Sequence, residues 1–219
     1  MIQVSITDAF LENLLNTSWL EILAVIFGLL SVWYARQENI MVYPTGIISV
    51  VIYVYICFNY KLYADAGINF FYFIMSVYGW YNWSRPSSKP PLKISYLNKR
   101  EWMITIAMFL VSIVVILILL KIFKKDDLDY WSTNVPYIDT FTTAIFIVAM
   151  WHMALKKTEN WIFWIIGDVI SVPLYIYKGL AFSGFQYFVF LILAIMGFIS
   201  WRNKWFTEVK TAEIHGIKN

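Results

Sequence analysis

Seven apolar runs, each about as long as a bilayer-crossing helix, occupy residues 19–35, 40–59, 63–83, 102–123, 138–155, 160–177 and 184–202. A helix needs about 20 mostly apolar residues to cross the hydrocarbon layer. Composition agrees. Of 219 residues, 60% are hydrophobic and 14% charged, with mean hydropathy +0.64, whereas a soluble domain carries about a quarter charged residues. Aromatics make up 20% and include eleven Trp, which suits interfacial belts and aromatic-lined cavities. The chain reads as an all-α integral membrane protein.

Residues 1–18 lack Lys and Arg and carry Asp8 and Glu12. That is not the basic start of a signal peptide, and the stretch reads as a short interfacial segment. Ser18-x-x-Glu21 is a capping-box pattern that starts the first span. Loop 84–101 is rich in Pro and Lys and cannot be helical throughout. Residues 204–219 form the tail, whose polar end, 208–219, is expected to be loosely ordered. The first, third and fifth loops and the tail hold twelve Lys and Arg; Lys61, Lys121, Lys124, Lys125 and Lys178 make five on the other side. The richer side should face the cytoplasm, which puts the N-terminus outside and the C-terminus inside. Cys57 is the only cysteine, so no intramolecular disulfide is available.

A weak internal repeat organises the spans. Residues 38–55, "ENIMVYPTGIISVVIYVY", answer 159–177, "ENWIFWIIGDVISVPLYIY". Both begin Glu-Asn, place Gly46 and Gly167 seven residues after the Asn, and end Tyr-x-Tyr. Downstream, "GWYNW" at 79–83 answers "GFISW" at 197–201. Spans one to three (19–83) and five to seven (138–203) would be two three-helix units. The fourth, 102–123, restores their common orientation, so the repeats run parallel about an axis along the membrane normal. A site between such repeats is a transporter architecture.

Polar residues within the spans point to that site. An Asp at mid-helix costs about 2.5–3.5 kcal/mol on insertion scales, and each Leu, Ile, Phe or Val returns about 0.3–0.6. Nine such residues between 161 and 177 offset Asp168 and little more. Asp168 should therefore face the bundle interior or a wet cavity. Trp161, Trp164 and Asp168 fall on one helical face, and Pro173 should kink or hinge the same helix. Asp65, Asn69, Tyr72 and Ser76 form a second stripe. Gln186 and Tyr43 occupy repeat-related places, opposite Asn69 and Trp164 respectively. Other roles stay open: Trp161 and Tyr43 as interfacial belt, Asn69 and Gln186 as interhelical hydrogen bonds. Asp65 reads as a helix-start cap, and His152 as a residue near the cytoplasmic interface. Indole faces beside a buried carboxylate suit a flat cation, and no basic cluster at depth suits a phosphate.

No GxxxxGK[ST], GxSxG, HExxH or CxxC is present, and the only His are His152 and His215. No cofactor, metal site or nucleic-acid partner is predicted, and an intramembrane enzyme is poorly supported.

"KKTENWIFWIIGDVISVPLYIYKGL", with "RQENIMVYPTGIIS" and "LYADAGINFFYFIMSVYGWYNW", resembles the PnuC family of bacterial vitamin transporters over about residues 19 to 204. The resemblance implies seven helices arranged as in SWEET sugar transporters, commonly as a homotrimer in the inner membrane. It also implies facilitated diffusion of nicotinamide riboside or, in a related branch, thiamine, trapped inside by a cytoplasmic kinase. The substrate would be a small cationic vitamin, met by Trp161, Trp164, Asp168, Tyr43, Asn69, Tyr72 and Gln186. Nicotinamide riboside carriers of the family usually have Asn where this chain has Asp168, which leaves the vitamin open. A proton-coupled sugar or nucleoside carrier is the competing transporter class.

Overall fold

A computed structural model describes residues 6–85 and 90–214. Residues 1–5, Lys89, His215 and Lys218 lie outside them. The chain is built from helices: α1 (Ile6–Asn16), α2 (Trp19–Arg36), α3 (Val42–Asn59), α4 (Tyr63–Trp83), α5 (Lys99–Phe123), α6 (Leu128–Trp131), α7 (Val135–Ala154), α8 (Asn160–Tyr177) and α9 (Ala181–Ile214). By length and apolar content α2, α3, α5, α8 and α9 can cross a membrane. Helices α4 and α7, of 21 and 20 residues, are comparably long but more polar, with Asp65, Asn69 and Asn82 on one and Asp139, Thr140, Thr142, Thr143 and His152 on the other.

Local chemistry fixes the ends. Ser18 accepts from the Glu21 N–H at 3.2 Å and starts α2. A complete capping box between Asn98 and Glu101 starts α5 at Lys99, earlier than the apolar run alone suggests. The turns α2–α3, α3–α4, α7–α8 and α8–α9 share one form, with Glu38, Lys61, Lys156 and Gly179 at positive φ. In each, an N–H reaches back five residues: Asn39 to Tyr34, Leu62 to Cys57, Lys157 to His152 and Leu180 to Tyr175. This is the Schellman closure, which satisfies end carbonyls that would otherwise be orphaned. Helix α8 stays helical through Pro173.

The N-terminal segment is helical over Ile6–Asn16, and part of the tail expected to be loose is helical as well. Within residues 1–18, α1 packs on α9 through Phe10, whose ring lies 5.9 Å from Phe182 and 5.6 Å from Phe185. The tail, expected to be loose from 208, continues α9 to Ile214. No Gly or Pro interrupts 198–214, and Trp205 anchors the extension against Tyr96, edge to face at 4.8 Å.

Helices α2–α3–α4 pack in sequence, as do α7–α8–α9. Between the triplets, α2 lies on α9 and α4 on α7, while α5 covers α7. Two indole N–H groups cross that seam: Trp201 donates to the Ala35 carbonyl at 3.0 Å, and Trp83 to the Met153 carbonyl at 3.3 Å. Both carbonyls lie in the last turn of a helix, where intrahelical donors run out. At this same end Glu38 binds Lys156 at 2.6 Å and also pairs with Lys204. Lys156 in turn sits 4.5 Å above the Trp83 ring. The linker enters here too: Ser95 donates to Lys156 O and accepts from Thr158 N–H, and Lys157 pairs with Glu101 at 2.7 Å.

Burial alone would raise the Glu38 carboxyl, but hydrogen bonds and charge from Lys156 and Lys204 outweigh it and hold it below its ordinary 4.5. A carboxyl depressed in the folded state contributes stability above its unfolded value and loses it as pH falls through the folded one. Glu38→Gln should therefore lower the melting temperature of the detergent-solubilised protein by a few degrees at neutral pH. The deficit should narrow below about pH 4; a pH-independent deficit would assign the loss to packing instead.

Candidate functional site

Asp168 stands midway along α8 with 2% of its surface exposed, and no hydrogen bond or ion pair joins it to any described residue. Its side chain points into the bundle, as the cost of placing it in lipid requires. Tyr72 on α4 and Tyr187 on α9 lie within electrostatic range of it. Both can donate to a carboxylate, and neither can neutralise it.

The aromatic partners divide into two levels. Trp164, one turn from Asp168, is half-buried and stacks on Phe146 of α7 at 5.2 Å and 27°. Phe146 also lies nearly parallel to Tyr187, 6.0 Å away at 7°, and Tyr187 packs on Tyr175 at 4.8 Å. Three helices thus supply a connected set of rings beside the carboxylate. Trp161 and Tyr43 lie further toward the end where Glu38 meets Lys156. They are 1% exposed, so the belt placement open to them in the sequence does not apply. Trp161 meets Trp201 edge to face at 5.5 Å, Tyr43 meets Trp83 at 5.2 Å, and Trp83 and Trp201 are 6.0 Å apart.

Glycine makes this second level possible. A Cβ at Gly79 would lie 2.4 Å from the Tyr43 ring, and one at Gly197 2.6 Å from the Trp161 ring. Each large ring lies directly against the backbone of the opposing helix. The Tyr43 hydroxyl and the Trp161 indole N–H find no hydrogen-bond partner among the described residues.

The remaining expected residues are less tightly drawn in. Tyr72 packs against the same core cluster as Tyr43 and Trp161. Gln186 lies beside the Tyr53 hydroxyl of α3. Asn69 is partly exposed and donates to the carbonyl of Asp65 in its own helix at 2.9 Å, a local bond rather than one between helices. His152 accompanies Thr105 of α5 at 2.8 Å and stacks on Phe163, away from Asp168. Sequence reasoning missed Phe146, Tyr187, Tyr175 and Tyr53. No spacing marks them: Tyr187 follows Gln186 directly, and adjacent residues do not share a helix face. Among the described residues no group of three or more His, Cys, Asp or Glu is placed to hold a metal ion. A groove of about 790 Å³ between the α6–α7 region and the end of α8 is lined by Thr133, Ile138, Ile170, Pro173 and Tyr177, and by none of the expected site residues.

Comparison with known proteins places these features in context. The family described as nicotinamide mononucleotide transporter matches residues 18–203. The nicotinamide riboside transporter PnuC of Escherichia coli K12 is 30% identical over 207 residues, covering 86% of this chain and 87% of that protein. The riboflavin/roseoflavin transporter RibM of Streptomyces davaonensis is 26% identical over 198 residues, covering 89% and 90%. The crystal structure of the vitamin B3 transporter PnuC superposes with a TM-score of 0.63 at 23% identity, over 90% of this chain and 87% of that one. The last likeness establishes the fold.

Gly197→Ala should force the Trp161 ring away from α9, since its Cβ would fall at 2.6 Å. Overpacking of this kind costs typically about 1–3 kcal/mol, read as a lower melting temperature. Gly67→Ala, whose Cβ would meet nothing within 4 Å, is the control and should leave the melting temperature equal or higher. Equal behaviour of the two variants would show that the approach of Trp161 to α9 is not tight.

Proposed function

This chain belongs to the nicotinamide mononucleotide transporter family, the PnuC group, and we propose that it carries nicotinamide riboside into the cell by facilitated diffusion. It is a multi-pass inner-membrane transporter for a small vitamin and not an enzyme. In the proposed cycle a cytoplasmic kinase phosphorylates the vitamin, and the charged product cannot return.

Asp168 carries the proposal. A carboxylate shut away from water without a partner is costly, and a bound cation offsets that cost. The rings of Trp164, Phe146 and Tyr187 beside it suit a flat cation. Nicotinamide riboside brings a pyridinium ring, and its carboxamide offers N–H donors to the carboxylate. Thiamine, with a thiazolium ring and an aminopyrimidine donor, is the second reading, favoured by Asp at a position where the family usually has Asn. The flavin carried by RibM is neutral and leaves the charge of Asp168 uncompensated.

The proposed architecture is seven spans, α2–α5 and α7–α9, with α2–α4 and α7–α9 as parallel repeats joined by α5. The reciprocal packing of α2 on α9 and α4 on α7 supports it, as do the paired indole bonds from Trp83 and Trp201. The four turns closed in the same way support it as well. In the proposed orientation Glu38, Lys156 and Lys204 face the cytoplasm, by the excess of basic residues there. A homotrimer is the proposed assembly, by resemblance to the family. Trp161 and Tyr43 contribute from the cytoplasmic side of the site; Asn69, Tyr72 and Gln186 contribute from the other helices.

Calorimetry of the purified protein with nicotinamide riboside and with thiamine tests the substrate. Binding of neither at millimolar concentration refutes it. Asp168→Ala should abolish binding with folding intact, and Asp168→Asn should shift preference between the two vitamins. Trp164→Ala should weaken binding by about 1–2 kcal/mol if the cation–π contact is desolvated. Uptake into vesicles without ATP or an ion gradient is expected; a requirement for a pH gradient would favour the proton-coupled carrier.

A further inference from the structure

Phe146 holds an unusual place beside the carboxylate. It is 7% exposed, and its ring presses on the backbone of α8 at Gly167, next to Asp168. A Cβ at Gly167 would lie 2.1 Å from Cε1 and 2.7 Å from Cδ1 and Cζ of that ring. The phenyl therefore fills space that any other residue at 167 would take. Its two stacking partners, Trp164 and Tyr187, come from α8 and α9. A neutral hydrocarbon ring thus occupies the aromatic surroundings in which a flat cation beside Asp168 would be best held.

We infer that Phe146 sets the largest ring system the site accepts. The inference rests on the proposed site at Asp168 and adds to it a residue that selects by size. A single six-membered ring can lie against the aromatic set with Phe146 in place. A fused tricyclic ring, such as a flavin, extends into the volume of the phenyl and is excluded by it. A hydrophobic wall discriminates by the atoms it refuses to admit, worth about tenfold or more per displaced group. Gly167 and Trp164 hold the phenyl on the wall, because the ring has backbone on one side and an indole on another.

The test is calorimetry of the wild type, Phe146→Leu and Phe146→Ala with nicotinamide riboside, thiamine and riboflavin. Gel filtration of each protein shows whether it stays monodisperse. The wild type should bind a vitamin cation more tightly than riboflavin, whose weaker affinity is read by displacement of the bound cation. In Phe146→Ala the ratio of riboflavin affinity to cation affinity should rise by roughly tenfold or more, with Phe146→Leu between. An unchanged ratio in both variants overturns the inference, as does equal loss of every ligand by a monodisperse Phe146→Ala, which would make Phe146 a binding wall only. If Phe146→Ala is not monodisperse, the ratio in Phe146→Leu decides in the same sense. Failure of the wild type to bind either cation overturns the parent reading and the inference together, whereas a binding wild type with an unchanged ratio overturns the inference alone.

Discussion

Two indole N–H groups tie the halves of the bundle together at its lysine-rich end. Trp83 and Trp201 each leave their own helix triplet and bond a carbonyl in the final turn of a helix in the other. Each carbonyl already accepts an N–H from its own turn, from Glu38 for Ala35 and from Lys156 for Met153, and its second lone pair takes the indole from the other triplet. Much else is arranged around the pair. Lys156 lies over Trp83, Trp161 abuts Trp201 and Tyr43 abuts Trp83. The Glu38 carboxylate closes the same end with two lysines. The seam is thus aromatic and polar rather than aliphatic, which suits a contact surrounded by lipid, where apolar packing gains little over apolar solvent.

This arrangement separates two tasks along α8. Near its N-terminus Trp161 is fully buried, held against the bare backbone at Gly197 and engaged with Trp201. Two turns on, Asp168 is buried within electrostatic range of Tyr72 and Tyr187, with no counter-charge among the described residues. Trp164 lies between, joined through Phe146 to Tyr187. One helical face therefore runs from a tightly packed indole to a carboxylate without a counter-charge.

Much of this is legible in the residues, for identifiable reasons. Helix lengths follow from apolar runs because lipid tolerates little else, and Asp168 is conspicuous because no other acidic group lies at its depth in α8. The proposed repeat shows in the sequence as "GWYNW" and "GFISW", whose last tryptophans make the crossed bonds. Three of the four left-handed turn residues are invisible: Glu38, Lys61 and Lys156 take a conformation that Gly179 alone advertises. Phe146 and Tyr187 are invisible for another reason. Aromatics in an apolar helix look alike whether they fill a core or line a site, and only their stacking partners distinguish them. The start of α5 at Lys99 is encoded by Asn98 and Glu101, yet hydropathy weighs bulk apolar content and passes over a cap. The ordered end of α9 is likewise a matter of an anchor, Trp205 on Tyr96, which no local pattern announces.

That anchored end has a mechanical consequence. At 34 residues α9 is about 51 Å long, well beyond the roughly 30 Å of hydrocarbon. The same unbroken rod carries Tyr187 beside Asp168 and ends at Ile214, far outside the bundle. A small tilt of the rod at the carboxylate is carried along it to the turns beyond Trp205, as with a pointer on a dial. A fluorophore or spin label on the projecting turns would therefore register movements at the centre of the protein without touching it.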